Sequence, residues 1–528
     1  MSLQQTLNGV MKKIFLFLSL VLLFSCKKKN NAIITNAADE YPAPYFEDDE
    51  RAQKVIKYKS IVDSIFRKSA RVNHNPAIAY GIVVDNKLVY SNATGYTNIE
   101  KKIVADSKSR FRIASMTKSF TAMAILRLRD EGKLQLSDPA ADYIPEMSSL
   151  KYPTSDGSAI TIFNLLTMSA GFPEDNPWGD RQLSDTDDEL IDLVKKGISF
   201  STTPGLQFEY SNLGYALLGK IISNVSGLHY QDYIITKILR PLGMTDCEFE
   251  FEKIPQEKLA LGYRWEENQW KPEALLKDGS YASMGGMICT IDDFAKYMSF
   301  LLTAWPAHNG KDEGPVKRNS VREMQQPWKF RGLFSNSKNR NGEVCPRTSS
   351  YGFGLGWRQD CKGMVAVSHS GGLPGFGSIH ILMPDHGVGI VAFSNLTYAN
   401  MGAPAAQALD TLMQLAELKK RVLPVAPTLT KIQDQIIKII PGWGEESDGM
   451  FAENFYPDIS KDLRRKQLND QLNKIGRVIT VEKIKPENLL RGTFDIVGEK
   501  GTIEVSFTLT PDVDHKVQYL NFQLKGKK

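Results

Sequence analysis

The sequence predicts an α+β fold: an antiparallel sheet flanked by helices, with a mostly helical segment inserted between its first and last strands. Two observations carry this. Strand-like runs gather near both ends of the region from 54 to 418, and amphipathic or apolar helical runs fill its middle. A third observation, alternating residues such as Thr502-Ile-Glu-Val-Ser-Phe-Thr-Leu near the end of the chain, predicts a small separate α+β domain over 442–528.

The elements follow in order. Met11 to Cys26 opens with two lysines, continues as an apolar run too short to span a membrane, and ends Leu23-Phe24-Ser25-Cys26. This is a secretory signal whose last residues resemble the lipobox of bacterial lipoproteins, and the ten residues before Met11 read as an upstream extension. The expected product is an exported, membrane-anchored lipoprotein on the periplasmic or cell-surface side, acylated at Cys26, with polar residues 27–53 as a tether. Lys54 to Ala70 is an amphipathic helix, and Ala77 to Tyr90 is a hairpin turning at Asp85-Asn86-Lys87. Arg112 to Gly132 reads as a helix with Gly132 at its C-terminal cap. Ile162 to Met168 is a short helix, 173–188 a polar loop suited to the rim of a cleft, and Leu213 to Val225 an apolar helix entered through Tyr210-Ser211-Asn212. A glycine turn at Gly285-Gly286 precedes a short strand and a helix capped by Thr290. Residues 308–349 are polar and irregular, with one helix. The runs at 351–357, 365–369, 377–383 and 389–394 form an antiparallel meander, and 405–418 closes the domain as a helix. Prolines and charges over 419–441 read as a linker.

Composition narrows the function. At 528 residues, with 42% hydrophobic and 24% charged residues, this is a folded chain of two to four domains. A net charge of +5 with scattered lysines gives no support to a nucleic-acid partner. Besides Cys26 there are Cys247, Cys289, Cys345 and Cys361; export permits disulfides, and Cys345–Cys361 is the pair best placed, flanking a short glycine-rich segment. No spacing matches a zinc site, His380 and His386 read as structural, and no cofactor is implied.

Three short patterns carry chemistry. Ser115 and Lys118 are three residues apart at a helix entrance, which places hydroxyl and amine on one face with Cβ atoms about 5–6 Å apart. A serine becomes nucleophilic only when a base takes its proton, and a lysine serves as that base only if its pKa falls. Alone, the pair reads more readily as an N-cap serine and a surface lysine. Tyr210-Ser211-Asn212 and His369-Ser370-Gly371-Gly372 follow in chain order.

Together these patterns resemble those of the beta-lactamase-related serine hydrolases, the superfamily of class C beta-lactamases, D-Ala-D-Ala carboxypeptidases, D-aminopeptidases and related esterases. Leu165-Leu-Thr-Met-Ser-Ala-Gly-Phe, Pro204-Gly before Phe208-Glu-Tyr-Ser-Asn, and Ser283-Met-Gly-Gly-Met-Ile-Cys-Thr resemble further signatures of that family, in the family's order. The resemblance covers 54–418 and implies a beta-lactamase/transpeptidase-like fold. It implies that Ser115 is acylated, that Lys118 and Tyr210 share proton transfer through lowered pKa values, and that Asn212 binds the substrate amide or ester. It also implies an oxyanion hole built from the backbone N–H groups of Ser115 and Gly372, the latter on an edge strand after His369 and Gly371. Histidine at 369 in place of the lysine of penicillin-binding proteins weakens the hold on a substrate carboxylate. Met168 stands where the family carries histidine, a matter of packing.

The expected activity is acyl-enzyme hydrolysis of a small peptide, amide or ester in the cell envelope, D-amino-acid compounds included. The competing expectation is a non-catalytic binding or sensing protein on the same scaffold; the joint presence of Ser115, Lys118, Tyr210 and Asn212 argues against it. A metallohydrolase has no ligand set to draw on.

Overall fold

The computed structural model describes residues 41–339, 341–441, 443 and 449–526. The signal, Cys26 and residues 27–40 of the tether lie outside them. Of the remaining tether, Tyr45 forms a β-bridge with Val422, and the Phe46 ring lies 3.4 Å from the Arg51 guanidinium and 4.4 Å from that of Arg421. The tether reading therefore fails from Tyr45 onward: cation–π contacts hold this stretch down.

The strands in chain order are β1 (Ala77–Val84), β2 (Lys87–Asn98), β3 (Ile103–Val104), β4 (Phe111–Arg112), β5 (Tyr263–Glu266), β6 (Gln269–Pro272), β7 (Ile288–Cys289), β8 (Lys329–Phe334), β9 (Arg347–Tyr351), β10 (Gly356–Gln359), β11 (Val365–Leu373), β12 (Phe376–Met383) and β13 (Val388–Ser394). Nine of them form one antiparallel sheet in the order β3-β2-β1-β13-β12-β11-β10-β9-β8. The first and last strands do share a sheet, since β1 pairs with β13 from Ile78↔Ser394 to Val84↔Val388. β1 is apolar throughout because both its faces are covered. Ile78, Tyr80, Ile82 and Val84 join one core, with Val62 and Phe66 of the Lys59–Val72 helix and Leu409 and Leu412 of the Gly402–Leu415 helix. Ala77, Ala79 and Val83 join the other, which holds the inserted helices.

Those helices include Lys118–Asp130, Ile162–Leu166, Asn212–Ser226 and Ile291–Thr303. Gly132 ends the first at φ +74, as a C-terminal cap glycine should. The Thr290 side chain accepts from Asp293 N at 3.1 Å and caps the last. The amphipathic stretch after residue 50 is two helices, Arg51–Lys57 and Lys59–Val72, broken at Tyr58.

Two further expectations change. Residues 308–349 are not chiefly loop: they contain the Arg318–Met324 helix, β8 and the start of β9. β8 is the sheet edge and leaves Phe330, Leu333 and Phe334 exposed, so the in–out alternation that marks a half-buried strand is missing from its sequence. Nor is 419–441 a linker throughout. Pro427–Ile439 is a helix whose Leu429, Ile432, Ile436 and Ile439 are buried at helical spacing, with Pro427 in the first turn, where its missing N–H is harmless. That helix shares an apolar cluster with Phe494, Ile496, Val505 and Phe507 of the C-terminal sheet, which comprises β14 (Val478–Val481), β15 (Lys485–Asn488), β16 (Arg491–Gly498), β17 (Thr502–Leu509) and β18 (Val517–Leu524). Disulfides join Cys345 to Cys361, as expected, and Cys247 to Cys289. His380 is buried against Phe294 and Tyr297, with no hydrogen-bond partner for either ring nitrogen, consistent with a packing role.

Candidate active site

The chain reaches Ser115 through β4, which pairs with β7 (Phe111↔Cys289, Arg112↔Ile288). Arg112 is buried and fixed by an ion pair to Asp278 at 2.9 Å. A 3-10 turn, Ala114–Thr117, then leads into the Lys118–Asp130 helix, so Ser115 lies on a tight turn and not inside the helix. Ala114 has φ +50, a strained conformation for a residue with a side chain. Ser378 Oγ donates to Ile113 O at 2.6 Å, and Thr117 Oγ1 donates to Ala114 O at 2.7 Å. β11 passes close by: a Cβ on Gly371 would stand 2.3 Å from Ile113 O and 2.9 Å from Ala114 Cβ. Gly371 therefore permits close approach of strand and turn.

Lys118 is fully buried. Its Nζ lies 3.1 Å from Ser115 Oγ, 2.6 Å from Asn212 Oδ1 and 2.9 Å from Met284 O. The last two partners only accept hydrogen bonds. A neutral amine gives them its two protons and turns its lone pair to the Ser115 hydroxyl. Burial pushes Lys118 down from 10.5 to about 7, against the opposing pull of Asp180, Asp175 and Glu174.

Tyr210 precedes the Asn212–Ser226 helix, where Ser211 is the N-cap and its Oγ accepts from Gly214 N at 3.1 Å. The Tyr210 phenol faces the Ser115 hydroxyl, and its ring centroid is 4.9 Å from Lys118 Nζ. Its environment does not lower its pKa, contrary to the sequence reading. Burial raises it well above the ordinary value, and the phenol keeps its proton.

Asn212 departs further from expectation. It is fully buried, its Oδ1 taken by Lys118 and its Nδ2 donating to Asn176 Oδ1 at 2.7 Å. It braces the lysine from behind the cavity wall, and Asn176 lines the cavity in its place. The loop bearing Asn176 is moored by Asp175, which accepts from Asn212 N at 2.6 Å and Leu213 N at 2.8 Å at the helix N-terminus. Gly179 lies directly against this amide, for a Cβ there would sit 2.7 Å from Asn212 Cβ.

His369 is buried and fully engaged. Its Nδ1 is 2.6 Å from Ser370 O, a pure acceptor, so Nδ1 carries the proton; Nε2 then accepts from the Tyr351 hydroxyl at 2.9 Å. Burial and the nearby Lys118 depress it to about 3, so the ring is neutral and has no N–H left for a ligand. β11 is interior in the sheet order and not an edge strand. However, β10 pairs only with Val365–Ser368, while β12 continues along β11 to Leu373, so residues 369–373 have one strand edge without a β partner. Gly372 lies on this stretch, with the Tyr398 ring against it: a Cβ at 372 would be 2.9 Å from the ring.

The site opens on a cavity of about 640 Å³, lined by Ser115 and Tyr210, by His369, Ser370 and Gly372, and by Tyr351, Phe208 and Arg331. Glu174, Asn176, Pro177, Asp180 and Tyr398 also line it. The loop expected to form the rim thus supplies Glu174, Asn176 and Asp180, while the 308–349 segment supplies Arg331. Sequence reasoning missed Tyr351, Asp180 and Tyr398 individually; the acid-rich Glu174-Asp175-Asn176 within a predicted rim was the available signal. Met168 is buried, with its Sδ 3.2 Å from Ser211 N.

A family model described as Beta-lactamase matches residues 62–413. Protein flp of Staphylococcus aureus (strain COL) is 29% identical over 340 residues, 63% of this chain and 62% of that protein. Beta-lactamase-like protein 2 of Dictyostelium discoideum is 30% identical over 275 residues, 50% of this chain and 49% of that protein. The chain thus spans less than two thirds of the length of these curated relatives. Among solved structures, the octameric penicillin-binding protein homologue from Pyrococcus abyssi superposes with a TM-score of 0.57 at 22% identity, covering 88% of this chain and 99% of that one. The penicillin binding protein from Bacillus halodurans gives 0.52 at 21% identity, covering 66% and 99%. At these identities the two structures speak to the fold.

Proposed function

The chain belongs to the beta-lactamase family, and from that premise we propose that it is a serine hydrolase that cleaves a small peptide, amide or ester through an acyl-enzyme on Ser115. The observation that carries this reading is the Lys118 amine, which is buried, depressed in pKa and donates to two carbonyl oxygens while its third contact is the serine hydroxyl.

The steps follow from the proton positions. Ser115 Oγ bonds to the substrate carbonyl carbon as its proton passes to Lys118 Nζ. The carbonyl oxygen, now negative, lies toward the Ser115 and Gly372 N–H groups; one such donor is typically worth about 2.7–4 kcal/mol. Tyr210, still protonated, gives its proton to the leaving nitrogen or oxygen as that bond breaks, and Lys118 restores it. Water then attacks the ester, its proton returns through the same pair, and Ser115 leaves as the hydroxyl.

Because both ring nitrogens of His369 are spent, a carboxylate on the leaving group falls to Arg331, stacked 4.5 Å over the Phe208 ring on the same wall. The reading extends to an exported cell-envelope lipoprotein, supported by the Met11 to Cys26 pattern, with D-amino-acid peptides among the substrates. Hydrolysis of a 4-nitrophenyl ester, with the acyl adduct located by intact-mass and peptide mapping, tests the chemistry. Turnover and an adduct on Ser115 are expected in the wild type and neither in Ser115→Ala; turnover that survives the substitution refutes it.

A further inference from the structure

The cavity lining contains a carboxylate that the hydrolytic steps do not use. Asp180 is 3% exposed, lines the cavity, and forms no ion pair among the described residues. One of its oxygens has no hydrogen-bond partner, and among the described residues the Tyr398 phenol is the side-chain donor that faces it. A buried carboxylate so poorly satisfied is unfavourable in the empty protein, and it is relieved by a cation or a strong donor. Tyr398 is 42% exposed and its ring rests against Gly372, so rotation of one surface side chain uncovers Asp180 to the cavity. Glu174 on the same rim also forms no ion pair among the described residues, accepting from Asn176 Nδ2 at 3.1 Å and from the Asn176 backbone. The cavity thereby holds these acids as well as Arg331 in its lining.

The direction of cleavage decides which half of the substrate meets which wall. Tyr210, the proton donor to the leaving group, lies on the His369 side, with the two ring centroids 6.3 Å apart. We infer that the leaving group departs past His369 and Arg331, which leaves Tyr398 and Asp180 to the acyl half.

We propose that Asp180 receives a protonated amine on the acyl half of the substrate, so that the enzyme takes acyl donors with a free amino group. The amine replaces the Tyr398 phenol as partner and completes the unsatisfied oxygen with a charge-assisted hydrogen bond. Burial raises Asp180 only to about 6, which leaves it ionised above neutral pH. The inference rests on the hydrolase reading, and its test separates the two.

The full chain is assayed at pH 8 with 4-nitroanilides of D-alanine, L-alanine and β-alanine, against those of propionate and N-acetylalanine. Ser115-dependent hydrolysis of a 4-nitrophenyl ester serves as the control for the hydrolase chemistry. At least one free-amine anilide is expected to exceed the propionyl compound in kcat/KM by tenfold or more. That ratio is expected to collapse at least tenfold in Asp180→Asn. Ser115-dependent esterase activity with no free-amine preference overturns the amine subsite and leaves the hydrolase standing, as does an equal loss on all substrates in Asp180→Asn, which would make Asp180 a partner of Lys118 alone. If Asp180→Asn does not fold, the wild-type ratio decides.

Discussion

Replacing Lys118 with methionine should change the pH dependence of stability in a way that no surface lysine could. Lys118 takes its proton at about 7 in the folded protein and at its ordinary 10.5 once unfolded. Between those values the unfolded chain binds more protons than the native one, so stability must rise with pH across the interval; below about 7 the whole contribution is absent. A full proton difference changes stability by about 1.4 kcal/mol per pH unit, so the wild type should gain about 3 kcal/mol on the variant from roughly pH 8 to pH 10. The substitution also strips Asn212 Oδ1 and Met284 O of their donor, at about 1–3 kcal/mol each. That loss is a constant offset and leaves the slope intact. Urea denaturation of both proteins across this pH range, followed by tryptophan fluorescence, measures the difference. Two parallel curves would mean that Lys118 keeps an ordinary pKa inside the fold, and the base assignment would fall with it.

The same amine should control rate: kcat/KM of the wild type is expected to rise with pH through an acid limb near 7, and a limb at the usual histidine value in a His369 variant as well as the wild type would contradict nothing, since His369 is neutral throughout. Asp180, Asp175 and Glu174 face Lys118 and hold its proton on, so Asp180→Asn should move that limb to lower pH; a shift upward refutes the charge assignment. Tyr210→Phe is expected to lower kcat by about 10²–10⁴ on an anilide and far less on a 4-nitrophenyl ester, whose leaving group needs no proton; equal losses would deny Tyr210 its donor role. Gly179→Ala inserts a methyl 2.7 Å from Asn212 Cβ and should destabilise by about 1–3 kcal/mol while raising KM, as read by denaturation and steady-state kinetics.

The sequence disclosed those parts of the site whose geometry is local. Ser115 and Lys118 are joined by one helical turn, and Tyr210 and Asn212 by one helix entrance, so spacing alone brings them near the right atoms. It could not disclose what the opposite loop does with them. Asn212 looks free to bind a ligand until Asn176, 36 residues earlier, occupies its Nδ2. His369 looks like an available donor until Tyr351, from β9 two strands away, takes its second nitrogen. The fold was legible for the same reason in reverse: periodicity reports burial on each element, and it failed at β8, whose exposed residues carry no such pattern, and at Pro427, whose ring fits a first helical turn.

The two groups that bracket Ser115 are driven by one cause to opposite ends. Burial disfavours charge on either, so it lowers the lysine and raises the tyrosine, and above about pH 7 both are neutral. A neutral amine can only accept the serine proton, since its own two are held by carbonyl oxygens. A neutral phenol can only give one up, and its line to Ser115 already exists. The division into base and acid therefore needs no fine adjustment of either pKa toward the other; it needs dryness and three fixed partners for one nitrogen. That requirement explains why Asn212 is withdrawn from the cavity. An amide that turned outward to greet substrate would leave one Lys118 N–H without its acceptor, and the lone pair would no longer be aimed at the Ser115 hydroxyl.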